Sequence, residues 1–441
     1  MKTKALMLFM FFACAPISYS FGQVICAGSQ KLVCQFPASA QTLAFYTYGP
    51  NSPQGAAISS AAQSASLPIN ASIATQLTQL PIPSATVGVV SLRGKGSDAP
   101  PVPFDNLGPV LTDRPDTVGK GHLFMGFSYQ HFNFNALDGT SLANLPVSFA
   151  STPLSASPTT YYGSETNNVS FQLNQYVVLF TLGISKGTDF SFVLPFNSVN
   201  IGVTTSNFQA FTYTYASGIY QNLSPPSTTS ATSSGSASGL GDVILSLKQL
   251  LIGGEGNRPA IAVGGTFRIP SGDEFNYLGS GAMGGSLYGL FEYRARLAPH
   301  LKLGYQWNDV SKVVNAGGGG VRLPGGLQYA AGADLKIVRP LTLAVDLLGN
   351  QFINTPSLTV STVALNPIPP IGTLPSTQFP SVTTPNSTYT TVNFSTGLKW
   401  TPIPHLLLYG NVLLQANNVG LRSDPVPSFG IAYNLNAAKS K

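Results

Sequence analysis

The sequence predicts an all-β transmembrane protein, an antiparallel β-barrel of about 12 strands behind an N-terminal segment of different character. Three observations predict it: the composition, the lengths of the connections, and the parity of the charged residues. Asp, Glu, Lys and Arg make up 9% of 441 residues, against about 25% in soluble domains. Yet only 43% of residues are apolar, and there are 45 Gly and 34 Pro. Beyond residues 5–15 the best apolar run is 176–184, far short of the ~20 residues a spanning helix needs. With 26 Phe and 18 Tyr, disorder is excluded as well. A membrane barrel, in which apolar and polar residues alternate, accommodates this combination.

The N-terminus gives an address. Lys2 and Lys4, an apolar core at 5–15 and Ser18-Tyr19-Ser20 predict a signal peptide over 1–20. Residues 21–117 then form a periplasmic or plug segment. Cys26 and Cys34 are expected to pair in an oxidising compartment. Two cysteines alone do not make a zinc site, so no metal is expected. Ile69, Ile73, Leu77 and Leu80 recur at helical spacing, predicting a helix near 70–80 with an apolar face that needs a partner. Pro81 and Pro83 end it, and residues 94–103 read as linker.

The barrel is expected over 118–435, followed by a tail at 436–441. Alternation predicts strands at about 122–135, 168–183, 189–197, 240–252, 259–269, 287–298, 300–308, 327–338, 341–352, 390–400, 405–415 and 427–435. Short turns fall at 184–188, 253–258, Pro299, 339–340 and 401–404, and every other connection is long. Outer-membrane barrels have short periplasmic turns and long external loops. An even strand count places both termini in the periplasm of a bacterial outer membrane. The stretches 224–238 and 355–386 are low-complexity loops.

The charged strand residues are Asp189, Asp242, Lys248, Arg268, Glu292, Arg294, Arg296, Lys302, Asp334, Lys336, Asp346 and Lys399. All fall opposite the more apolar parity of their strand, as a lumen requires, since a base facing lipid at mid-membrane costs about 2–4 kcal/mol. Trp307 and Trp400 sit at strand ends, where an interfacial girdle is expected. The last strand, Ser428-Phe429-Gly430-Ile431-Ala432-Tyr433-Asn434-Leu435, resembles the C-terminal signal read by the barrel-assembly machinery.

Thr112-Asp113-Arg114-Pro115-Asp116 precedes the first strand. Gly239-Leu240-Gly241-Asp242, Pro259-Ala260-Ile261-Ala262 and Pro270-Ser271-Gly272-Asp273 follow in order. This series resembles the outer-membrane family of the meta-pathway of phenol degradation, over about residues 109–435. The resemblance implies a barrel that carries small, often aromatic or hydrophobic compounds. A more distant likeness is to long-chain fatty acid transporters, without the Asn-Pro-Ala segment of their hatch.

Two readings of the lumen charges stay open. They select solutes, as charged rings do in pores, or they pair across strands and fill a narrow barrel, Asp242 with Arg268 for instance. Lys248, Arg296, Lys302, Lys336 and Lys399 lie toward the short-turn half and bias the exit toward anions. The N-terminal segment either plugs the lumen, hangs in the periplasm, or docks a partner there. His122, His300 and His405 are placed at strand ends, and His131 faces outward.

No catalytic residue is expected, because no nucleophile has a base within reach; an outer-membrane lipase is the remote alternative. No cofactor is expected, and a net charge of +6 is too small and scattered for nucleic acid. The expected partners are outer-membrane lipid and a small-molecule solute. The predicted function is passive uptake of small compounds; the alternative is a closed-lumen surface protein whose external loops bind a partner.

Overall fold

Period-two alternation makes the wall, and the wall closes on itself. The computed structural model describes residues 26, 30–49, 52–78, 80–82, 107, 109–150, 159–214, 219–222, 229–253, 259–313, 320–338, 340–365, 377–403 and 405–436. The expected signal peptide and the linker at 94–103 lie outside the described residues.

Twelve antiparallel strands form the barrel. They are β1 (His122–Leu137), β2 (Thr159–Gly183), β3 (Thr188–Thr214) and β4 (Ala231–Leu240 and Val243–Ile252). Next come β5 (Pro259–Ile269), β6 (Gly284–Tyr293), β7 (Leu297–Asn308) and β8 (Gly326–Val338). The last are β9 (Leu341–Pro356), β10 (Asn386–Ile403), β11 (Leu406–Gln415) and β12 (Leu421–Ser423 and Val426–Asn436). Each pairs with the next, and β12 closes on β1 with His122 opposite Asn436 and Gln130 opposite Ser428. Closure leaves no unpaired edge, the condition a sheet must meet in lipid. Short and long connections alternate, so one end of the barrel is a short-turn end and the other a long-loop end.

The outer face has two zones. Near the short turns it is apolar, with Met125, Phe127, Leu182, Phe190 and Phe196 exposed. Further along β2 and β3 the outward residues become Asn168, Ser170, Gln172, Asn200 and Thr204, while Val169, Phe171, Val199, Ile201 and Val203 are buried inside. The alternation therefore reverses phase near Asn174 and Asn197 without a break in the strand. Read from sequence, such a reversal looks like a strand end. That is why 198–239 was expected to be loop, whereas the wall continues through β3 and back up β4.

The low-complexity stretch is part of this wall. Ala231, Ser233, Gly235 and Ala237 are small because α1 (Gln35–Tyr48) packs against them; a Cβ on Gly235 would lie 2.8 Å from Leu32 Cδ2. The 355–386 stretch holds a hairpin of Thr359–Leu365 and Thr377–Thr383.

The turn expected at Pro299 is instead at 294–296. Pro299 lies inside β7, beyond its last pair with β6, Glu292 with His300, where its missing N–H breaks no bond to that neighbour.

The expected helix at 70–80 is the end of a longer one, α2 (Pro53–Leu77), which carries Pro68 within it and stops before Pro81. Ser52 caps it, its Oγ accepting from Gly55 N at 3.0 Å. α1 was not foreseen; small and apolar residues surround it on several sides, so it lacks a clean stripe. Both helices lie inside the long-loop end, where Leu32, Phe36, Leu43, Ile58, Ile69 and Ile73 join Phe134, Phe171 and Ile201 in one core. The apolar helical face finds its partner there, at the opposite end of the barrel from the start of β1. Cys26 and Cys34 are disulfide-bonded.

Candidate functional site

Three layers occupy the lumen. The first, at the short-turn end, is built on Thr112-Asp113-Arg114-Pro115-Asp116. Arg114 is buried and meets Asp116 Oδ2 and Glu292 Oε1, each at 2.9 Å. Arg294 pairs with Asp116. Lys248 Nζ donates to Arg114 O at 2.9 Å and lies 3.4 Å from Asp113 Oδ1. Asp189 accepts from Val118 N at 3.0 Å. Lys399, fully buried, donates to Leu107 O at 3.2 Å and to Pro109 O.

Beside this segment His300 lies between two carboxylates, its Nε2 2.5 Å from Asp346 Oδ1 and its Nδ1 3.3 Å from Asp334 Oδ2. Thr112 Oγ1 also donates to Asp346 at 3.3 Å. Most wall charges thus meet the N-terminal segment rather than one another. Asp242 and Arg268, 3.7 Å apart, are the expected cross-strand pair.

The second layer is a crossbar formed by Thr78 and residues 80–82. Thr78 O accepts from Arg268 Nη1 at 3.2 Å, and Thr78 Oγ1 from Gln306 Nε2 at 3.3 Å, on one side of the barrel. Pro81 O accepts from Gln130 Nε2 at 3.0 Å on β1. Below it is a chamber of about 240 Å³, lined by Leu80, Ile82, Leu111, Asp113, Thr266, Ser286, Tyr288, Lys302 and Gln328 among others. Above it is a vestibule of about 60 Å³, lined by Gln76, Phe132, Gln415 and Arg422 among others. Leu80, Pro81, Asn350 and Asn393 line both, so the crossbar is the partition.

The third layer is the helix pair, latched by the loop after β5. Two of the short motifs meet here. Ser271 Oγ donates to Gly241 O at 2.7 Å, and Gly272 N to Asp242 Oδ1 at 3.2 Å. Asp273 takes Lys31 Nζ at 2.6 Å, and Tyr277 Oη donates to Asn70 Oδ1 at 2.6 Å. Behind α1, Thr205 Oγ1 lies 2.6 Å from Ser39 Oγ and 2.5 Å from Asn167 Oδ1. Asn167 Nδ2 donates to Glu165 Oε1 at 3.0 Å. Burial pushes this carboxyl up to about 7.

Of the sequence-predicted lumen residues, Asp189, Asp242, Lys248, Arg268, Glu292, Asp334, Asp346 and Lys399 are buried inside, and Lys302 and Lys336 are half-buried. Arg294 is drawn to the mouth by Asp116, and Arg296 is exposed in the turn, since the strand stops at Tyr293. Trp307 and Trp400 face outward from the two ends of the wall. His131 Nδ1 faces Asn174 Oδ1 at 2.8 Å.

Two groups escaped the sequence reading. His300 was set at a strand end because Pro299 looked like a turn; a strand begun at Leu297 puts it on the lumen parity. Thr112–Asp116 offers two acids and an arginine to a lumen full of bases, a complementarity visible in the composition of the segment itself.

A family model described as MetA-pathway of phenol degradation matches residues 152–345. No curated protein matches the chain. Among solved structures, an outer membrane channel from Pseudomonas putida F1 is 12% identical, with 73% of this chain and 98% of that chain covered and a TM-score of 0.40. The P. putida toluene transporter TodX is 9% identical, with 73% and 92% covered and a TM-score of 0.30. A Pseudomonas aeruginosa FadL homologue is 8% identical, with 72% and 90% covered and a TM-score of 0.29. The family that the four short motifs resemble is thus the one whose model the wall from β2 into β9 matches.

Proposed function

We propose that the protein is an outer-membrane channel through which small solutes move passively, its lumen closed at rest by the N-terminal segment. The observation that carries this reading is the pair of cavities inside a closed wall, separated by a crossbar held by two wall hydrogen bonds at Thr78 and one at Pro81. The apolar outer zone supports a membrane setting, with the short turns on the periplasmic side. Solutes enter at the vestibule, pass the crossbar, and leave along the charged layer at the short-turn end.

Conductance in a planar bilayer tests this. Gln130→Ala with Gln306→Ala leaves the crossbar tied to the wall by Arg268 alone and is expected to raise single-channel conductance several-fold over the wild type. No current and no liposome flux from either protein would sink the channel reading. A closed-lumen surface protein is the second reading, favoured by the dense packing around Arg114; it predicts that outcome.

A further inference from the structure

We propose that the path takes small organic anions with an apolar body, monocarboxylates of about the size of benzoate. The carboxylate docks first at Arg422 in the vestibule and then at Lys302 in the chamber. The substrate class rests on the channel reading; the binding sites themselves do not.

Most buried lumen cations are already engaged. Arg114 and Arg294 hold Asp116, with Glu292 also on Arg114. Lys248 has Asp113, Arg268 has Asp242 and Asn308, and Lys399 has two backbone carbonyls. Two cations lining the cavities differ. Lys302 Nζ lies over the Tyr288 ring, 4.4 Å from its centroid, with no carboxylate within 4.0 Å among the described residues. Arg422 is 3% exposed and donates to neutral acceptors, Asn393 Oδ1 at 2.8 Å and Asn417 Oδ1, with the Asp138 carboxylate near it but beyond ion-pair distance. Among the described residues the vestibule lining holds no acid, and the chamber lining holds one, Asp113, which lies 3.4 Å from Lys248 and acts on Lys302 from a greater distance.

The chamber's chemistry then selects the ligand. A neutral hydrocarbon would strip water from the Lys302 ammonium and leave it unpaired, which is costly in a confined site. An inorganic anion would satisfy Lys302 but leave Leu80, Ile82, Leu111 and Leu348 wet. A carboxylate on an apolar ring serves both, with a charge-assisted bond at one end and apolar contact at the other. The space of about 240 Å³ suits a single ring.

Calorimetric titration of the folded, full-length protein in detergent decides the matter, using benzoate and its neutral isostere benzamide. Benzoate is expected to bind at least roughly tenfold tighter than benzamide. Lys302→Gln in an Arg422→Gln background should erase that preference while leaving benzamide unchanged, and Lys302→Arg in the same background should keep it. Arg422→Gln should slow benzoate uptake without altering its affinity for the chamber. Equal binding of the two ligands, no binding of benzoate, or a Lys302→Gln/Arg422→Gln protein that still prefers benzoate would overturn the proposal. Because binding is read without current, a silent bilayer would count against the channel alone.

Discussion

Single side chains set the lumen's limits. His300 lies between Asp334 and Asp346 in the packed layer, so removing it takes the shared imidazole partner from both carboxylates. Breaking one partner from such a buried group costs about 3–5 kcal/mol. His300→Leu is therefore expected to lower the unfolding midpoint sharply in a denaturant titration, and an unchanged midpoint would contradict the arrangement. Gly264 has a different task. It sits opposite Tyr288 on the inner wall, and a Cβ there would meet the ring at 2.5 Å. The ring lies flat because that position is bare. Gly264→Ala should push Tyr288 into the chamber, weakening benzoate binding at a stability cost of about 1–3 kcal/mol, measurable in the same titration.

At the scale of elements, most of the wall was legible. Strands β5, β8, β9, β10 and β11 follow a period that keeps one phase, so their centres and facing could be read directly. The long strands β2 and β3 could not, because their outer face changes from apolar to polar partway along. Once the outside is water and the inside is packed on helices, the hydrophobic phase inverts, and local periodicity has no means of knowing it. The site was legible in its charges and opaque in its pairings. Alternation assigns Lys248 or Lys399 to the lumen, but their partners come from a segment over 130 residues away in the chain.

The same inversion buries Glu165 beside Asn167, which Thr205 links to Ser39 of α1. Its neutral form is the one the folded protein favours, so its contribution is full below about pH 4.5 and is lost as pH rises through about 7. Protease resistance of α1 should fall across that window. Glu165→Gln should flatten the dependence, and an identical pH profile for the variant would contradict the assignment.

At the scale of the whole molecule, the chain runs along its own axis. Helices sit at the long-loop end, the crossbar lies in the middle, Leu107 and residues 109–118 fill the short-turn end, and the wall follows from His122 onward. This arrangement has a consequence for biogenesis. Two helices and a disulfide loop would pass with difficulty through a finished cylinder whose lower third is packed around Arg114. The direct route is for the wall to wrap around the axial segment, so that the seam between β1 and β12 zips last. Protection of residues 30–82 from protease should then appear together with the heat-modifiable gel form of the closed barrel, not after it. The segment that blocks the lumen in the mature protein would serve, during assembly, as the mandrel on which the cylinder is rolled.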